Sequence, residues 1–321
     1  MVKHRVIIFA IVLLTLVSCS YGSSGDRQPE YQQCVAQCVS QTEYHQLPLY
    51  LRLLRWTVKQ DCGYHCMHSI TERAIQNERY IHQYHGKWPF QRLYGIQEPA
   101  SVLFSILNGL VHCHYFKVIQ TKAPDSYFLK KFYLVTCMVG MNAWLWSTVF
   151  HIRDTAWTER LDYFSAGLYI LYGLCVAVVR IFYLRGVWAV LWTAMCAVAY
   201  VTHVMYLSSM ARFDYGYNMM VCIVVGTCQT SLWLIWSVKQ YTRWGNSERR
   251  PFAWMVGASV VMVTLAMCLE IFDFPPIGQV VDAHSLWHAA TIPLAPLFYE
   301  FLVCDTELET VSRSAKDKRS S

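Results

Sequence analysis

Residues 281–304 open Val281-Asp282-Ala283-His284-Ser285-Leu286-Trp287-His288 and then run on, largely apolar, to Cys304. A run of this length crosses about 30 Å of hydrocarbon as a helix. It begins with two histidines four residues apart, a spacing that puts both rings on one helix face, about one turn from each other. Ionisable groups are costly where a chain enters a hydrophobic segment, so the pair needs partners.

The chain before it repeats the apolar pattern. Counting this one, seven runs follow Pro99, at about 100–118, 130–150, 162–183, 187–207, 215–238, 252–272 and 284–304. With 55% hydrophobic residues and a mean hydropathy of +0.26, the chain is too apolar for a soluble protein with a charged surface. The expected fold is an all-α integral membrane protein. It is a seven-transmembrane helix bundle, each run long enough to span, with an N-terminal lumenal, disulfide-linked helical segment.

Basic residues orient the bundle. Lys117, Lys122, Lys130 and Lys131 fill the first connection, Arg180 and Arg185 the third, and Lys239, Arg243, Arg249 and Arg250 the fifth. Arg313, Lys316, Lys318 and Arg319 lie in the tail, while the even connections hold only Arg153, Arg160 and Arg212. The odd connections and the C-terminus are therefore expected in the cytosol. The net charge of +6 reflects orientation in a membrane and gives no reason to expect a nucleic-acid partner. At the other end, Lys3, His4 and Arg5 precede an apolar core from Ile7 to Val17 and the small residues Ser18, Ser20 and Gly22. That is the pattern of a cleaved secretory signal. The expected organisation is a signal peptide (1–22), a lumenal Cys-rich segment (23–98), the seven-helix domain (99–304) and a disordered cytosolic tail (305–321).

The thirteen cysteines fall into two groups. Those inside apolar runs read as small hydrophobes packed among helices. Cys34, Cys38, Cys62 and Cys66 instead form two Cys-x-x-x-Cys pairs in the polar segment. Each pair shares a helix face, so two antiparallel helices could be joined by two disulfides. The rival is a four-Cys zinc site recruiting His65 or His68. An oxidising compartment favours disulfides, whose connectivity spacing does not fix.

The chemistry gathers at the lumenal helix ends. Ser147 and His151 share a face at the end of the second run, Asp162 opens the third, and His284 and His288 open the seventh. The topology brings all five to one depth. Three histidines with an open fourth position make a catalytic Zn²⁺ shell, in which bound water becomes a nucleophile near neutral pH. Asp162 could accept that water's proton or orient a histidine, and Ser147 could donate to a developing oxyanion. Singly, each has a plainer role: an interfacial histidine, a helix–helix hydrogen bond for Ser147, an N-cap for Asp162. Their co-location argues for the metal. Asp154 and Asp282 are alternatives to Asp162, and Asn108 and His112 read as interhelical hydrogen-bonding groups.

The spacing Ser147-x-x-x-His151, then Asp162, then His284-x-x-x-His288 resembles the CREST superfamily of seven-helix membrane proteins, which includes alkaline ceramidases and the progestin and adipoQ receptors. Within it, the signal peptide, the Cys-rich segment, Gly86-Lys87-Trp88-Pro89-Phe90-x-Arg92 and Gln97-Glu98-Pro99-Ala100-Ser101 resemble the Per1-like family over roughly residues 23–304. That resemblance implies zinc on His151, His284 and His288 with Ser147 and Asp162 beside it. It also implies a GPI-specific phospholipase A2 of the Golgi membrane; the endoplasmic reticulum is a further expected compartment. Its substrates would be GPI-anchored proteins, losing the sn-2 acyl chain of their phosphatidylinositol. Other readings are a ceramidase-type amidase, a seven-helix receptor with a structural metal, and a non-enzymatic helper of GPI-protein maturation.

Overall fold

The computed structural model describes residues 23–242, 250–270 and 273–320. The stretch read as a signal peptide, 1–22, lies outside them. The chain forms two compact units. One contains the chain up to Gly95 together with Pro275–Gln279, the other Ile96–Phe274 and Val280–Ser321.

The first unit is built on α1 (Pro29–Gln41), the short α2 (Leu49–Leu53) and α3 (Val58–Gln76). Pro29 starts α1, where a missing N–H costs nothing, and Thr57 and Gln60 cap α3 reciprocally. Disulfides join Cys34 to Cys66 and Cys38 to Cys62, at Cα–Cα distances of 5.9 and 5.7 Å. This nested pairing makes α1 and α3 antiparallel. His68 Nε2 donates to the Phe90 carbonyl at 2.9 Å. The four thiols are thus spent on disulfides and His68 on a backbone bond, and the zinc reading of this segment falls. The Gly86–Arg92 stretch folds onto α3. Trp88 and Phe90 are buried, and the Arg92 guanidinium lies 4.3 Å from the Trp56 ring centroid and 3.6 Å from that of Tyr64.

The second unit holds α4 (Pro99–Lys122), α5 (Lys130–Ile152), α6 (Ala156–Ile181), α7 (Val187–Ser209), α8 (Tyr215–Thr242), α9 (Trp254–Met267), α10 (Ala283–Thr291) and α11 (Leu294–Ser320). No strand occurs among the described residues. Neighbour packing runs α4–α5–α6–α8–α9–α11 and closes through α10 and α11 onto α4, while α7 packs on α6. Trp188, Leu191, Met195 and Val198 of α7 face outward, as lipid-facing residues do.

Among the described residues, six helical segments are long and apolar enough to cross a membrane: Pro99–Lys122, Lys130–Ile152, Ala156–Ile181, Val187–Ser209, Tyr215–Thr242 and Ala283–Val311, the last taking in α10 and part of α11. This is a multi-pass membrane protein. The expected all-α membrane fold is what forms, with six such segments and a shorter apolar helix, and three details differ from the sequence reading. The sixth run makes a shorter apolar helix, Pro251–Met267, because helical bonding tightens to a 3₁₀ turn at Cys268–Glu270. The last run is two helices, α10 and α11, interrupted at Ile292 and Pro293, where proline cannot supply the N–H that would continue α10. The tail is not disordered from Asp305: α11 continues to Ser320.

That continuation has a cause. Asp305 is fully buried and accepts from Arg180 Nε at 2.5 Å, from Arg180 Nη2 at 2.7 Å and from Arg250 Nη1 at 2.6 Å. Glu309, one turn on, accepts from Arg250 Nη2 and from the Tyr183 hydroxyl. Arg180 and Arg250, counted in the sequence among the connection charges, are buried. The close-packed apolar core lies at this same end, with Tyr133, Val179, Trp233, Phe301 and Leu302 at its centre.

Candidate metal centre

The histidines lie at the opposite end of the helices. His151 is in the last turn of α5, and α10 begins with a capping box in which the Asp282 carboxylate accepts from the Ser285 N–H. Asp282 is thereby engaged in starting the helix. The cap fixes where α10 begins and so aims His284 and His288 along one face.

His151, His284 and His288 each offer a ring nitrogen, all within 4.8 Å of one another, and the three could hold a metal ion. Nε2 of His284 lies 2.9 Å from Nε2 of His288 and 3.4 Å from Nε2 of His151. Nitrogens this close require a shared proton or a shared cation. His151 and His288 are buried and His284 is half-buried.

Each outer nitrogen of the buried pair has a partner. His151 Nδ1 donates to the buried Glu98 carboxylate at 2.7 Å, which leaves its Nε2 lone pair pointing inward. His288 Nδ1 lies 3.0 Å from Ser105 Oγ, and Ser105 Oγ lies 3.1 Å from Ser147 Oγ. The Gln97-Glu98-Pro99 motif also caps a helix end. The amides of Gln97 and Glu98 each donate at 3.0 Å to the carbonyls of Ile152 and His151, which end α5 without partners of their own.

Ser147 therefore reaches the histidines through Ser105. Asp162 sits half-buried in the second turn of α6, whose N-cap is Thr155, so the N-cap reading of Asp162 does not apply. Glu98 and Ser105 were absent from the residues singled out in the sequence. The signal for Glu98 lay in its own motif, whereas nothing in the spacing marks Ser105. His112 accepts from Trp144 Nε1 at 3.1 Å and meets the Tyr299 hydroxyl at 2.7 Å, an interhelical bridge as expected. Asn108 likewise bridges helices, donating to the His288 carbonyl at 2.9 Å.

Fold and site together define a multi-pass helical membrane protein with a three-histidine cluster, able to hold a metal, at one end of its bundle. The Per1-like family model matches residues 48–306, and the chain belongs to that family. It is 38% identical over 313 residues to the Protein PER1 homolog of Schizosaccharomyces pombe, covering 94% of this chain and 92% of that protein. It is 38% identical over 314 residues to the mouse GPI-specific phospholipase A2-like PGAP3, covering 92% and 93% of the two chains. With the human protein of the same name it shares 37% identity over 309 residues, again covering 92% and 93%. No solved structure matches the chain.

Proposed function

We propose that this protein is a zinc-dependent lipid ester hydrolase that removes the sn-2 acyl chain from the phosphatidylinositol of GPI-anchored proteins. The observation that carries the metal is the inward convergence of three imidazole nitrogens. The donor set suits Zn²⁺: imidazole ligands, with a carboxylate behind one of them. The substrate class rests on the relatives named GPI-specific phospholipase A2-like PGAP3.

His151, His284 and His288 would hold the ion through one ring nitrogen each. When bound, zinc supplies a Lewis acid for the ester carbonyl and lowers the pKa of water. Asp162 takes the proton of the attacking water and returns one to the departing glycerol oxygen as the acyl C–O bond breaks. Ser147 donates to the oxygen that gains charge as water adds to the acyl carbon. The reaction consumes water and gives a free fatty acid and a lyso-GPI. The protein works in the Golgi membrane, its Cys-rich segment lumenal and its C-terminus cytosolic.

The test is product analysis with purified protein on GPI lipid and on ceramide, with and without chelation. Fatty acid release from GPI that stops on metal removal and returns with zinc is the expected result. Activity surviving complete metal removal overturns the metal mechanism, and release of sphingoid base from ceramide overturns the ester assignment.

A further inference from the structure

Helix α4 and its N-cap residue contribute none of the three histidines, yet they hold two of them at two points each. Glu98 grips residue 151 at both ends: its amide donates to the His151 carbonyl at 3.0 Å, and its carboxylate accepts from His151 Nδ1 at 2.7 Å. Residue 288 is gripped likewise, by Asn108 Nδ2 at its carbonyl, 2.9 Å away, and by Ser105 Oγ at its Nδ1, 3.0 Å away. Glu98, Ser105 and Asn108 are spaced seven and three apart, the spacing of a single helix face, and all three are buried.

We infer that this face of α4 is the positioning frame of the metal centre, and that Ser105 sets the direction in which Ser147 hydrogen-bonds. The inference rests on the metal reading above and assigns residues that reading leaves without a role. A histidine that ligates through Nε2 keeps its hydrogen on Nδ1 and must find an acceptor for it. Glu98 is that acceptor for His151. For His288 it is Ser105 Oγ.

The rest follows from counting hydrogens. Ser105 carries one hydroxyl hydrogen, and Ser147 Oγ, 3.1 Å away, is placed to receive it. Ser147 then accepts from Ser105 and keeps its own hydrogen to donate elsewhere. That is the polarity an oxyanion-stabilising serine needs. Loading the metal on one side of His288 thus orients a donor on the other side, through a buried serine that touches no substrate. Glu98, Ser105 and Asn108 are positioning residues.

The test uses the full chain in detergent, with zinc affinity measured by chelator competition and the melting temperature of the metal-free protein measured alongside. Glu98→Ala is expected to weaken zinc binding on the order of 10–100-fold. Glu98→Gln, whose amide oxygen can still accept from Nδ1, is expected to recover most of that loss. Ser105→Ala is expected to weaken binding about 10-fold. Should Glu98→Ala fail to fold, Glu98→Gln with Ser105→Ala carries the test. A purely structural role would lower the melting temperature of the variants and leave the zinc affinity of the folded protein unchanged, and that result overturns the inference. At saturating zinc, Ser105→Ala added to Ser147→Ala should cost no further activity; losses that multiply overturn the relay. A wild-type chain that takes up no zinc overturns the metal reading and this inference with it. Equal uptake by wild type and variants overturns the inference alone.

Discussion

The arginine–carboxylate cluster and the histidine cluster are both buried in the helical unit, and they are built on opposite rules. Arg180, near the C-terminal end of α6, belongs to one, and His151, in the last turn of α5, to the other. At the Arg180 end, two guanidinium groups face the carboxylates of Asp305 and Glu309, and charge is balanced within the cluster. At the other end, three imidazoles each bring a ring nitrogen to within 4.8 Å of the others. The first cluster is an ion-paired network that ties α6, the chain before α9, and α11 together. The second is a set of converging donors that could hold a cation. A closed network holds helices in place, and an open one at the far end is what those helices hold in place.

The largest effect should come from the open cluster. His284→Ala/His288→Ala is expected to abolish zinc uptake and to cut fatty acid release by more than about 100-fold, since even outer-shell partners cost 10–100-fold. The melting temperature of the metal-free protein should move little. Metal content by mass spectrometry, beside thermal unfolding, checks both. A double variant that unfolds would erase the contrast, because the histidines would then be structural like the arginines.

Next in size is Asp305→Ala. It leaves Glu309 as the one carboxylate of the cluster facing two buried arginines, and breaking such a buried pair costs about 3–5 kcal/mol. Loss of folded protein is expected, with Asp305→Asn milder because the amide oxygen still accepts. A cost below about 1 kcal/mol would mean the cluster is solvated in the manner of a surface pair, and the comparison would break at that end.

The two clusters differed just as much in how far the sequence disclosed them. His284 and His288 announce themselves by i,i+4 spacing at a hydrophobic boundary, and His151 follows once loop charges set the depth. Ser105 meets His288 across a separation of 183 residues, and no local pattern encodes such a contact. Glu98 stood in a recognisable motif, but a loop residue before a proline gives no hint that its carboxylate turns back onto a histidine. Arg180 and Arg250 were hidden by the very rule that located them, since basic residues at helix ends read as solvated anchors. Their acidic partners lay in what read as a tail. The break before α11 was visible as Pro293 and masked by hydropathy, which proline scarcely interrupts. Both disulfides were legible as helix-face pairs, whereas the nested connectivity needed the antiparallel packing of α1 on α3.

The smallest effect sharpens the comparison with a third pair, the same Asp–Arg chemistry outside the membrane spans. Arg92 Nη2 donates to Asp61 Oδ1 at 3.0 Å in the disulfide-linked unit. Burial pushes the Asp61 carboxyl up, but the hydrogen bond from His65 and the charge of Arg92 outweigh it and hold the carboxyl below the usual aspartate range. A carboxyl with its folded pKa depressed contributes stability in full above its unfolded value of about 3.9 and loses it as pH falls through the lowered folded value. Asp61→Ala should therefore cost about 1.5–3 kcal/mol at neutral pH, the range for hydrogen bonds to charged groups. That difference from wild type should shrink below about pH 4. Hydrogen exchange of the α3 amides in the full chain, at neutral and acid pH, reads it. If the gap persisted undiminished at acid pH, its source would be the packing of Arg92 between Trp56 and Tyr64 and not the ion pair. Arg–carboxylate pairs in this chain would then be compared by burial alone.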